Sequence, residues 1–116
     1  MDMIFDIKGN VLVAEMFGEL DHHAAQKVRA DIDNTMETYG ATELLFDFTN
    51  VTFMDSAGIG VILGRYRKLS GAGGKAAITG CSQTMRSILN MAGVFSVVDY
   101  FDSADEAIRY LRKETR

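Results

Sequence analysis

The chain has 116 residues, a formal net charge of −4 at pH 7 and a hydrophobic content of 47%, which suits one globular domain with a single core and disfavours intrinsic disorder. Its basic residues are scattered along the sequence, whereas a nucleic-acid binder would normally concentrate them on one face. No apolar run approaches the roughly 20 residues of a membrane span, and the first residues lack the positive charge of a signal peptide, so we expect a cytoplasmic protein with no membrane or nucleic-acid partner.

The first predicted elements are two strands joined by a tight turn, followed by a helix. Met3, Phe5 and Ile7 alternate with more polar neighbours, residues 11–17 form a second strand-like run, and the Gly9-Asn10 pair between the two runs is typical of a hairpin. Asp21 then suits the N-cap of a helix that ends at Gly40. Between these two residues the positions that recur at helical spacing are Ala25, Val28, Ile32, Thr35, Met36 and Tyr39.

A buried strand and a second helix follow. Residues 44–48 are apolar enough to be buried on both faces of a sheet. We expect a turn around Thr49-Asn50 and a helix that begins near Ser56 and runs to about Leu69. The glycine-rich stretch 71–74 predicts a flexible connection to a short strand at 75–79.

The last third of the chain predicts a helix, a strand and a final helix. Ser82 can cap a helix that stops at Gly93 and whose apolar positions are Met85, Ile88, Leu89 and Ala92. Residues 97–101 predict the last strand. Ser103 and Glu106 have the spacing of a capping box, and in the helix behind them the positions expected to face inward are Ala107, Ile108 and Leu111.

The predicted order is therefore β-β-α-β-α-β-α-β-α, in one domain that spans residues 1–116. Strands that alternate with helices pair in parallel through right-handed crossovers, whereas the opening hairpin adds an antiparallel pair. We expect an α/β domain in which four helices cover a mixed sheet of five strands.

The most informative stretch is the start of the second helix, at Asp55-Ser56. Helix N-termini have unpaired N–H groups and a partial positive charge, so they tolerate anions. A serine placed there can carry a phosphoryl group, whose added charge of roughly −1.5 to −2 would repel an acidic partner. From position alone, however, a residue of this type is more often only a helix cap. Gly58 and Gly60 lower the helix propensity of the first turn, so they call for close packing on the sheet or for the close approach of another chain.

The stretch 53–65, FMDSAGIGVILGR, resembles the signature of the anti-sigma factor antagonists, which belong to the STAS domain family, and it is most similar to the sporulation branch. Two further stretches support the likeness. Residues 18–23, GELDHH, resemble the exit of the family's second strand, and Thr84-Met85-Arg86 with residues 91–93 resembles the helix after the fourth strand. The resemblance spans nearly the whole chain and implies a single STAS-type domain.

The resemblance also implies a mechanism. An unphosphorylated antagonist of this family binds an anti-sigma factor that is also a serine kinase of the GHKL type, which releases the sigma factor. The kinase phosphorylates the serine aligned with Ser56, which weakens the complex, and a serine phosphatase reverses the change. The positions that this likeness places at or near the partner surface are Asp21, Asp55, Ser56, Ala57, Gly58, Ile59 and Gly60. The family often has serine where this chain has Ala57.

Other functions find less support in the sequence. The glycines at 58, 60 and 64 superficially resemble a dinucleotide-binding fingerprint, but the third glycine is wrongly spaced and no Walker lysine follows. His22 and His23 are adjacent on a predicted helix and point about 100° apart, so they are poor candidates for shared metal ligands. We therefore expect no catalytic residue, no metal and no cofactor. Cys81, the lone cysteine, is expected to act as a small buried hydrophobe. A module of a stressosome-like system or of an anion transporter tail remains an alternative within the same fold.

Overall fold

The computed structural model describes residues 1–112 and has the predicted order of strands and helices. The elements are β1 (Asp2–Lys8), β2 (Val11–Leu20), α1 (His22–Tyr39), β3 (Glu43–Met54), α2 (Ser56–Gly71), β4 (Ala76–Thr79), α3 (Gln83–Met91), β5 (Asp99–Phe101) and α4 (Ala104–Arg112). A single 3₁₀ turn, Val94–Ser96, precedes β5. The predicted α/β class, with a mixed five-strand sheet and four helices, is confirmed.

The strands form one sheet in the order β1-β2-β3-β4-β5. β1 and β2 are antiparallel, and Lys8 pairs with Val11 across a two-residue turn in which Gly9 has a φ of +66°, as the primed turns of hairpins require. From β2 to β5 every pair is parallel. The carboxyl ends of β2 and β3 therefore lie side by side at one edge of the sheet, and α1 and α2 begin there.

The two faces of the sheet are covered unequally. Leu44 and Phe46 of β3 face the main core, which α1, α2 and α3 close, whereas Leu45 between them faces a smaller core closed by α4. Residues 44–46 and Phe48 are at most 1% exposed, so the prediction that this strand is buried on both faces is confirmed.

The predicted turn at Thr49-Asn50 is wrong, because β3 continues through both residues to Met54. The register against β2 shifts twice in this stretch, between Glu15 and Phe17 and again between Gly18 and Glu19. Asp47 Oδ1 accepts hydrogen bonds from the backbone N–H and the hydroxyl of Thr49, which satisfies local groups where the pairing is irregular. Bulges of this kind put polar residues in a strand without ending it.

Near the end of the chain the predicted bounds of the last strand need correction, whereas the helix predicted after Ser82 is present as α3. The last strand was predicted at residues 97–101 but covers only Asp99–Phe101. Residues 94–96 form the 3₁₀ turn, and Val98 is buried before the strand begins. In α3, only Met85 and Leu89 of the four apolar positions are buried, and Ile88 is 45% exposed. The short amphipathic helix turns one narrow face to the core, so its neighbouring apolar position remains at the surface.

Two glycines near the start of α2 have different roles in the fold. Gly58 is buried, and a Cβ there would lie 2.8 Å from the carbonyl oxygen of Leu20 as well as against the Met54 side chain. Gly60 is exposed and has open space around it. Close packing on the sheet therefore explains the glycine at 58, whereas nothing in the fold requires the one at 60.

Paired substitutions test this difference. Gly58→Ala should lower the free energy of unfolding by about 1–3 kcal/mol, because the added methyl group meets backbone that cannot move freely. Gly60→Ala should raise it by about 0.5–1 kcal/mol, because alanine has the better helix propensity and meets nothing. Urea denaturation of both variants measures the two changes. A neutral Gly58→Ala would contradict the packing argument.

Candidate functional site

The candidate site consists of two helix starts that lie next to each other at the carboxyl edge of the sheet. Asp21 caps α1, and its Oδ1 accepts hydrogen bonds from the backbone N–H groups of His23 and Ala24, both at 3.1 Å. Asp55 caps α2, and its Oδ1 accepts from the backbone N–H of Ala57 at 2.9 Å. The sequence therefore predicted the Asp21 cap correctly, and the second cap is the residue before Ser56.

Asp55 also connects the two helix starts. Its Oδ2 accepts a hydrogen bond from the backbone N–H of His22, the first residue of α1, at 3.1 Å. The Nδ1 of the His22 ring lies 3.6 Å from the same oxygen. One carboxylate thus satisfies otherwise unpaired N–H groups of both helices. Sequence reasoning missed this contact, since it joins residues 33 positions apart.

The environment of Asp55 keeps its carboxyl group ionised at neutral pH. Desolvation by burial acts to raise the pKa of Asp55, but hydrogen bonds from the backbone N–H groups of Ala57, His22 and Gly58 outweigh it, and the net pKa is lowered. Hydrogen bonds that favour the charged form have this effect on a carboxylate. The helix start therefore carries a fixed negative charge directly before Ser56.

Ser56 is exposed at the first position of α2, and within residues 1–112 its hydroxyl makes no hydrogen bond. The capping function belongs to Asp55, so the simpler interpretation of Ser56 as a cap does not apply. The contrast with Ser82 is direct, because the Oγ of Ser82 caps α3 by accepting from the N–H of Met85 at 3.2 Å.

The other residues predicted for the partner surface differ in how far they are exposed to solvent. Asp21, Asp55, Ala57 and Ile59 are half-buried, and Gly60 is exposed. Ala57 and Ile59 pack against the main core. Gly58 is buried beneath them, so its influence on a partner surface can only be indirect. His22 and His23 are exposed, and their ring centroids are 4.0 Å apart.

Within residues 1–112 the structure has no feature that points to metal binding, membrane insertion or thiol chemistry. Within residues 1–112 no group of three or more His, Cys, Asp or Glu side chains is placed to hold a metal ion. In that part of the chain no helix combines the length and the apolar character needed to cross a bilayer. Cys81 is half-buried, and burial raises the pKa of its thiol to about 12, which makes it an unreactive side chain.

Comparison with known proteins matches the STAS domain model to residues 2–107. The anti-sigma F factor antagonist of Paenibacillus polymyxa is 34% identical over 101 residues, which cover 87% of this chain and 86% of the relative. The anti-sigma F factor antagonist of Lysinibacillus sphaericus is 36% identical over 83 residues, which cover 72% and 71%.

Two solved structures extend the comparison. The anti-sigma factor antagonist SpoIIAA in its unphosphorylated form is 31% identical, with a TM-score of 0.77, and the match covers 97% of this chain and 100% of the other. The Bacillus cell fate determinant SpoIIAA in its phosphorylated form is likewise 31% identical, with a TM-score of 0.75 and coverage of 96% and 100%.

The bridge from Asp55 to His22 predicts a stability difference between the two caps. Asp21→Ala removes a cap within one helix and should cost about 1 kcal/mol. Asp55→Ala removes acceptors from two helices, so its melting temperature should fall further than that of Asp21→Ala. Thermal unfolding of the two variants compares them, and equal losses would mean that the link to α1 contributes nothing.

The lowered pKa of Asp55 also predicts a pH dependence. A carboxyl group with a lowered pKa in the folded state contributes stability above its unfolded pKa and loses that contribution as the pH falls through the folded value. The difference in unfolding free energy between wild type and Asp55→Asn should therefore be constant from pH 5 to 7 and shrink below about pH 4. Urea titrations at several pH values measure it, and a difference independent of pH would contradict the ionised bridge.

Proposed function

This chain belongs to the STAS domain family, and we propose that it is an anti-sigma factor antagonist whose binding is switched off by phosphorylation of Ser56. In its unphosphorylated form it binds an anti-sigma factor that is also a serine kinase of the GHKL type, and the sigma factor is released. A serine phosphatase regenerates the binding form. Like its relatives, the protein acts by binding and not as an enzyme.

The observation that best supports this proposal is that Asp55, and not Ser56, caps α2. Asp55 supplies the cap hydrogen bonds of α2, and the hydroxyl of Ser56 is exposed with no bond to lose. A phosphoryl group on Ser56 would lie near the positive end of the helix, where negative charge is tolerated. Modification at this position is therefore compatible with an unchanged fold.

The effect of the phosphoryl group on binding follows from charge. Asp55 is ionised, and the phosphoryl group adds roughly −1.5 to −2 charge at the next residue. A partner that covers this helix start would have to remove water from two adjacent anionic groups. Unpaired charges are costly to desolvate, so the phosphorylated surface disfavours a complex that the unphosphorylated surface allows.

The other residues of the partner surface are proposed because of where they lie in the fold. Asp21, Ala57, Ile59 and Gly60 lie on or beside the two helix starts, and Gly60 leaves open space that a partner can occupy. Both relatives compared above are anti-sigma F factor antagonists, which favours a partner of the sporulation type. The exchange takes place in the cytoplasm, with no nucleic acid or membrane bound directly.

Incubation with ATP and the anti-sigma factor kinase of the same organism tests the modification. We expect one phosphoryl group, located on Ser56 by mass spectrometry, and none on Ser56→Ala. Ser82→Ala is the matched control, because Ser82 also stands at an exposed helix start but serves as a cap, and it should be phosphorylated like wild type. Phosphate found mainly on Ser82 or Ser87 would overturn the assignment.

A further inference from the structure

An exposed apolar surface lies beside the start of α2 and has no role in closing the core. It is formed by Phe53 near the end of β3 and by Ile88 and Met91 on α3, which we call the apolar flank. These side chains are 49%, 45% and 87% exposed. Single exposed hydrophobic residues are common on protein surfaces, whereas several that gather beside a candidate site indicate an interaction surface.

The flank is one continuous surface. Phe53 and Met54 line a shallow groove together with Met85 and Ile88 of α3, and Thr52, Ser82 and Thr84 complete its lining. Met91 is three residues after Ile88, so the two side chains share one face of α3. An apolar centre with hydroxyl-bearing residues around it has the composition of a protein–protein interface, where Phe and Met are enriched.

The flank is also continuous with the helix start that carries Ser56. Phe53 is three residues before Ser56, and at the strand rise of about 3.3 Å per residue the two lie within about 10 Å. A standard interface buries about 800 Å² on each partner, so one partner that covers Ser56 would also reach Phe53. Asp21 follows β2, whereas α3 follows β4, so Asp21 and the flank lie on opposite sides of the β3 end that leads to Ser56.

We propose that the apolar flank is the second half of the docking surface for the anti-sigma factor kinase. This inference rests on the function proposed above, and it adds a second group of residues that the partner must contact. The kinase presents apolar side chains to Phe53, Ile88 and Met91 while its catalytic cleft reaches Ser56. Affinity comes mainly from the flank, and the switch comes from the charge at Ser56, so the two properties reside in different residues.

Titration calorimetry with the purified anti-sigma factor kinase and ADP tests whether the flank supplies most of the affinity. Phe53→Ser and Met91→Ser should each raise Kd at least tenfold. Tyr39→Ser is the matched control, because Tyr39 is 65% exposed but ends the 18-residue helix α1, about 27 Å from the helix start, and its Kd should remain within twofold of wild type. Met91 is so exposed that its variant should melt within about 2 °C of wild type, which separates lost docking from lost folding.

Steady-state phosphorylation gives a second readout. If the flank only docks the kinase, Met91→Ser should raise KM for this protein about tenfold and leave kcat within twofold, since weakened uniform binding changes KM alone. A fall in kcat at unchanged KM would contradict a docking role.

The outcomes separate this inference from the function on which it rests. A wild-type protein that fails to bind the kinase overturns the proposed function and this inference with it. Wild-type binding with unchanged Kd in both flank variants overturns the inference alone. Sedimentation of the wild type as a dimer that Met91→Ser dissociates, at unchanged Kd for the kinase, would assign the flank to a second copy of this chain and would likewise overturn it.

Discussion

The structure of the candidate site depends on one carboxylate, that of Asp55. Its two oxygens accept hydrogen bonds from Ala57 in α2 and from His22 in α1, so a single side chain caps one helix and holds the start of another against it. Parallel pairing of β2 with β3 brings the two helix starts to one edge of the sheet, and the carboxylate fixes their relative position. Because Asp55 accepts these hydrogen bonds, the adjacent Ser56 is not needed as a helix cap, and its exposed hydroxyl is accessible to modification.

In the proposed switch, this arrangement separates folding from regulation. The negative charge of Asp55 is stabilised by backbone N–H groups and is part of the fold, whereas a charge added at Ser56 faces solvent and would matter mainly where a partner must displace water. Gly58 and Gly60 show a similar separation two and four residues after Ser56. Leu20 and Met54 occupy the space that a side chain at Gly58 would need, whereas Gly60 has open space around it. Neighbouring residues of one short segment therefore serve either the core or the surface.

Features set by local sequence could be predicted, and those set by strand register could not. The Asp21 and Ser82 caps and the end of α1 at Gly40 follow from residue type and spacing, and the structure has them. The contact between Asp55 and His22 depends on how β2 and β3 align, which no local pattern contains. Thr49 and Asn50 have the residue types of a turn, yet bulges keep them in β3. Ile88 fits the apolar period of α3 but lies beyond the narrow face that the core accepts.

A phosphoryl group at Ser56 is proposed to change binding without changing the fold. Site-specific incorporation of phosphoserine at position 56 allows a direct measurement, because amide hydrogen exchange and calorimetric affinity for the anti-sigma factor can be obtained on the same sample. We expect exchange protection in α1 and α2 within about threefold of the unmodified protein, together with an affinity at least a hundredfold weaker. Loss of protection along α2, or an affinity that phosphoserine leaves unchanged, would contradict it.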